Sequence, residues 1–84
     1  MGLSPAVEVN RAVAVAMAQS PTVGLMLLHQ IEGVEDYYPY HVARADLLWR
    51  TNQREAANAY KRALDLCQNS AERAYLQRRL GHCR

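Results

Sequence analysis

Twice within its first 21 residues the chain sets a serine directly before a proline, at Ser4-Pro5 and at Ser20-Pro21. A serine hydroxyl accepts from the unpaired N–H groups of a helix start, and proline lacks the N–H that would go unpaired at the first helical position. Each pair therefore marks a helix N-terminus. The punctuation continues with Pro39 after a polar loop, Asn52 after Thr51, and Ser70, which can cap a last helix, after Asn69. Together these signals predict five helices, over about residues 5–18, 21–32, 40–51, 54–68 and 71–82.

Each segment carries an apolar stripe at the 3.6-residue period. Val9, Ala12, Val13, Ala16 and Met17 form the first, and Leu25, Leu28 and Ile31 the second. Gly24 in the second is small enough to let a neighbouring helix come close. The third stripe is Val42, Ala45, Leu48 and Trp49; the fourth is Ala56, Tyr60, Ala63, Leu64 and Cys67; Tyr75, Leu76, Leu80 and Cys83 make the fifth. Thirteen alanines, ten leucines and no phenylalanine suit helices better than sheets. Short connections make neighbouring helices antiparallel, and only the one near 32–39 is longer. The expected fold is all-α: two stacked helical hairpins closed by a fifth, capping helix, wound as a right-handed stack.

At 84 residues the chain is one domain, and a chain of this size buries only about 60% of its unfolded surface. Little is left over to wall an active site. No nucleophile–base pair and no glycine-rich phosphate loop stands out, so neither an autonomous enzyme nor a cofactor is expected. His29, His41, His82, Cys67 and Cys83 lack the paired spacing of a metal site. No apolar run reaches the roughly 20 residues that cross a bilayer, and no membrane association is expected. With two cysteines and no secretion signal, the expected compartment is the reducing cytoplasm.

The net charge of +2 hides an asymmetry. Residues 1–42 hold one cation, Arg11, against Glu8, Glu32, Glu35 and Asp36; residues 43–84 hold nine cations against four acids. Arg73, Arg78, Arg79 and Arg84 fall in or just after the last helix and offer a possible basic surface toward phosphates or an acidic protein face. Asp46, Glu55, Asp65 and Glu72 dilute it, which argues against direct DNA contact by this region.

Leu47-Leu48, a tight polar turn, Ala56-Ala57, Tyr60, Ala63-Leu64 and Leu66 resemble a tetratricopeptide (TPR) repeat, although Thr51-Asn52-Gln53-Arg54 lacks the usual turn glycine. Four ordered blocks extend the likeness: Asn10 to Ala16; Tyr37, Pro39, His41, Ala43-Arg44-Ala45 and Leu47-Leu48; Ala56 to Leu64; and Asn69, Ala71-Glu72-Arg73, Leu76 and Arg78-Arg79-Leu80. Their order and spacing resemble the C-terminal TPR-like extension of bacterial extracytoplasmic-function (ECF) sigma factors. The resemblance implies transcription initiation, with promoter DNA binding, for a full-length protein. For these 84 residues it implies a regulatory, protein-interaction role, through contact with the sigma regions, RNA polymerase or a regulatory protein. The promoter-binding sigma regions are absent from the chain, so Met1-Gly2 is expected to be the start of an excised domain. A free-standing TPR adaptor or peptide-binding module is the alternative.

On this reading the groove lined by the first and third helices is the expected partner site. Asn10 and Arg11 would bind a peptide backbone or tie the first helix to the third. Tyr37, Tyr38 and Tyr40 are expected to fill the angle between the two hairpins with their hydroxyls toward water, Tyr38 being the one most apt to face a partner instead. His41 shares its helix with Arg44, which would clamp a partner carboxylate or pair with an acid such as Glu8. Asp46 and Arg50 stand at i, i+4, the spacing of a helix-face ion pair. A second copy of the chain could cover the exposed stacking edge, giving a homodimer.

Overall fold

The computed structural model describes residues 4–83, which form five α-helices and no strand. Met1-Gly2 and Arg84 lie outside the described residues. The helices are α1 (Pro5–Ala18), α2 (Pro21–His29), α3 (Tyr38–Trp49), α4 (Gln53–Leu66) and α5 (Ser70–Gly81).

The caps act as their residue types dictate. Ser4 accepts from the Val7 N–H and Ser20 from the Val23 N–H, each with proline at the next position. Asn52 accepts from the Glu55 N–H at 3.2 Å and so begins α4. The last helix is capped by Asn69, not Ser70: the Asn69 side chain accepts from the Glu72 N–H at 3.0 Å, and Ser70 becomes the first helical residue. α2 stops at His29, three residues short of its expected end, because the N–H groups of Gln30 and Ile31 turn back to Leu27 and Leu28. Gly33, at φ +73°, then takes a left-handed conformation that other residues rarely adopt. α3 starts at Tyr38, two residues early, with Pro39 in its first turn.

α1 pairs with α2 and α3 with α4; α3 also touches both α1 and α2, and α5 lies against α4. Two apolar clusters result. Val9, Ala12, Ala16, Leu28 and Leu47 form one, and Ala45, Leu48, Ala56, Ala59, Tyr60, Ala63, Cys67 and Leu76 form the other. Leu47 and Leu48, about 100° apart on the helix, point α3 into both, and Leu25 packs against both. Gly24 explains the closeness of α1 and α2: a Cβ there would stand 2.4 Å from the Ala16 Cβ and 2.9 Å from the Ala12 carbonyl oxygen.

Two stripe residues depart from expectation. Met17 is 80% exposed, because it lies one position round the helix from buried Ala16 and faces away from α2. Tyr75 is exposed as well, and only Leu76 of its helix is fully buried.

The connection from α2 to α3 is held by side chains. Val34 is buried beneath it. Arg62 of α4 donates to the Glu35 carbonyl oxygen and pairs with Asp36 at 2.8 Å, and the His41 Nε2 donates to the same carbonyl oxygen at 2.7 Å.

Candidate functional site

The first, third and fifth helices share one side of the molecule and line a groove of about 570 Å³. Its floor is apolar: Val9 and Val13 come from α1, and Tyr38, Pro39, Val42 and Ala43 from α3. Asn10 stands on one wall. Asp46, Glu72 and Tyr75 stand on the other, and no lysine or arginine among the described residues lines it. The alternation that packs a helix on one side leaves this side free. Val9 turns into the core, while Val13, one turn on, remains half-buried at the groove.

The groove gathers part of the expected partner set and disperses the rest. Asn10 and Tyr38 line it. Arg11 does not; it lines a cleft on the α1–α2 face with Glu8, Gln30 and Ile31. Neither Asn10 nor Arg11 makes a side-chain hydrogen bond to α3 among the described residues, so the expected tie between those helices is replaced by apolar packing. His41 and Arg44 point to the opposite side of α3, where two adjoining clefts share His29, Tyr40 and Arg44. His41 is committed to the Glu35 carbonyl and meets the Tyr40 ring edge-on at 5.1 Å. Arg44 is half-buried with no ion pair among the described residues, and Glu8, the acid offered for it, lines the α1–α2 cleft instead. Tyr37 and Tyr40 pack on the first cluster and Tyr38 on the second, so the three tyrosines fill the angle between hairpins while Tyr38 also faces the groove. Burial pushes the Tyr38 hydroxyl above its ordinary pKa.

The basic surface expected on the last helix is largely spent inside the fold. Arg73 donates to the Leu64 carbonyl at 2.7 Å and reaches that of Cys67 at 3.4 Å, so it caps the C-terminus of α4. Arg79 donates from Nε to the Tyr60 hydroxyl at 3.1 Å, and its guanidinium lies 4.4 Å from the centre of the Trp49 ring. Arg78 is exposed. Two of the three described arginines therefore serve cohesion rather than an outward charge.

Arg79 belongs to a polar cluster at the end of the groove. The hydroxyls of Tyr60 and Tyr75 both donate to Asp46 Oδ1, at 2.5 and 3.1 Å, and Arg79 Nη2 lies 3.7 Å from the same oxygen. One carboxylate thus joins α3, α4 and α5. Its partner is Arg79, 33 positions away, and not Arg50 at the next turn. Tyr60 is wholly buried, and burial together with its bond to Asp46 raises its pKa, against the lowering effect of Arg79. Tyr75 is raised by burial first and Asp46 second. A legible hint existed: a tyrosine in the core stripe needs a polar partner for its hydroxyl. The sequence offered no way to choose which.

The chain is 37% identical over 81 residues to an uncharacterized protein of Rhizobium meliloti (strain 1021). The match covers 94% of this chain but 19% of that protein, so the chain spans about a fifth of the length of this curated relative. No family model matches the chain, and no solved structure matches it. No helix among the described residues is long and apolar enough to cross a membrane.

Proposed function

We propose that this is a TPR-like protein-interaction domain, acting as the C-terminal regulatory part of an ECF sigma factor in transcription initiation. The observation that carries the reading is the groove itself, an apolar trough along α1, α3 and α5 that suits a polypeptide segment better than a compact metabolite. The α1–α2 and α3–α4 hairpins pack side by side with the first helix of each on the groove side, an arrangement compatible with a TPR-like stack. The similar stretch in a protein several times longer supports a role inside a larger polypeptide. The blocks that resemble the sigma-factor extension fall on α1, α3, α4 and α5.

The mechanism is contact rather than chemistry. The domain packs on the promoter-binding sigma regions, or receives a protein that controls them, and so tunes how far the promoter-reading surface is exposed. Tethering in one chain raises the effective concentration of such a contact to about the millimolar range. The test titrates the domain into separately produced sigma regions by calorimetry, alongside promoter activity of the intact sigma protein with and without the domain. Saturable binding and altered activity support the reading. Promoter activity indifferent to the deletion, with no binding, sinks it.

A further inference from the structure

The Asp46 carboxylate is used on one side only. Tyr60, Tyr75 and Arg79 all converge on Oδ1, and no hydrogen bond among the described residues reaches Oδ2. The Asp46 side chain is 40% exposed and no buried side-chain oxygen among the described residues is left unpartnered, so Oδ2 is open to solvent where Asp46 lines the groove. Glu72, exposed in the first turn of α5, lies along the same wall. The groove therefore offers an apolar floor of valines, one carboxylate held from its Oδ1 side by α4 and α5, a second that can swing, and no cation among its described lining residues, Arg79 standing behind Asp46.

We propose that the groove binds a basic amphipathic segment of a protein partner, with an arginine or lysine on Asp46 Oδ2 and Glu72 and apolar side chains against Val9, Val13 and Val42. This rests on reading the domain as an interaction module, and names the chemistry of what it holds. Charge complementarity selects the occupant. An acidic segment would meet the Glu72 carboxylate and an Asp46 whose cation, Arg79, is already engaged on the Oδ1 side, whereas a basic one adds a partner to the open Oδ2 and to Glu72. Because Asp46 is held rigidly, little side-chain freedom is lost when the partner cation arrives.

The test pans a phage-displayed library of random peptides about 12 residues long, the scale of segment such grooves hold, against the 84-residue chain. Enriched sequences are then synthesised and titrated against variants whose folding is verified by circular dichroism. The expected result is enrichment of lysine or arginine spaced with leucine, isoleucine, valine or methionine. Binding should weaken by about tenfold with Glu72→Arg and less with Glu72→Gln, and also on raising salt from about 50 to about 500 mM. Glu55→Arg, in the cleft on the far side of α3, should leave it within about twofold. Enriched peptides that are acidic or neutral, or basic ones that ignore Glu72→Arg, overturn the groove assignment and leave the interaction reading standing. Failure to enrich any sequence overturns the groove assignment too, while the interaction reading stands or falls on the calorimetric titration against the sigma regions.

Discussion

Substituting Gly24 with alanine tests how closely α1 and α2 approach one another. In an open helix position this change stabilises by about 1 kcal/mol, since glycine is the poorer helix former. Here the added Cβ would sit 2.4 Å from the Ala16 Cβ, 1.0 Å short of the 3.4 Å at which ordinary contact begins, and 2.9 Å from the Ala12 carbonyl oxygen. The second obstacle is backbone, so rotating a side chain cannot relieve it; α1 and α2 must separate. Leu47, whose Cδ1 lies 3.1 Å away, would be displaced as well. Overpacking of this kind costs about 3 kcal/mol, at the upper end of the usual range. Net of the propensity gain, Gly24→Ala should lose about 2 kcal/mol, or roughly 8–16 °C in Tm for a domain of this size. Thermal unfolding followed by circular dichroism reads this directly. Gly81→Ala is the internal control, since none of the described residues lies within 4 Å of its added Cβ, and it should be neutral or slightly stabilising. Adding Ala16→Gly to Gly24→Ala removes the shortest contact and should restore part of the loss. A Gly24→Ala protein as stable as its parent would refute the account of how α1 and α2 meet.

Tyr60→Phe removes the buried donor to Asp46 and the acceptor of Arg79 while keeping the ring. It should cost about 1.5–3 kcal/mol in urea unfolding, as loss of a hydrogen bond to a charged group does, and should change the emission of Trp49, the single tryptophan; an unchanged midpoint would count against the cluster's cohesion. Alkaline pH should destabilise the domain. Tyr38, Tyr60 and Tyr75 have folded pKa values raised above the unfolded value near 10, so above that pH the unfolded chain holds fewer protons than the folded one. Their contribution is complete below about pH 10 and lost as pH climbs toward the folded values; urea midpoints measured from pH 8 to 11.5 should fall over the upper part of that range, less steeply for Tyr60→Phe. Met17→Gln should change stability by no more than about 0.5 kcal/mol, since that side chain is 80% exposed, and a larger loss in thermal unfolding would show that α1 has a neighbour on that side.

The features readable in the sequence are those governed by residues close together in the chain. Ser4-Pro5 and Ser20-Pro21 announce helix starts because a cap and its N–H lie three residues apart. The alanine stripes at Ala12, Ala16, Ala56 and Ala63 show which way each helix faces, and Gly24 shows where two helices touch. The groove was legible as a face of α1 and α3, and Asn10 and Tyr38 belong to it. His41 and Arg44 escaped that reasoning because α3 is covered on two sides. Two positions along a helix, as from Val42 to Arg44, carry a side chain about 200° round to the other face, and nothing local says which face stays open. Asp46 illustrates the same limit: Arg50 is its neighbour by number, yet Arg79 and two tyrosines reach it only because α4 and α5 fold back over α3. Arg73 and Arg79 looked like surface charge for the same reason; their acceptors lie on other helices or on the turn before their own.

The two-faced third helix also bears on how the chain comes into being. A chain made from its N-terminus presents α1 and α2 first, with Ala16 and Leu28 already able to meet but with Leu47 still to be added to their cluster. That hairpin is a half-built wall. Synthesis of α3 closes it through Leu47 and, in the same stroke, exposes Ala45 and Leu48 as the foundation for α4. Each newly made helix thus finishes the surface before it and opens the next, so the nascent chain always carries one uncovered apolar seam. That seam disappears when Tyr60 and Arg79 lock the last helix over Asp46.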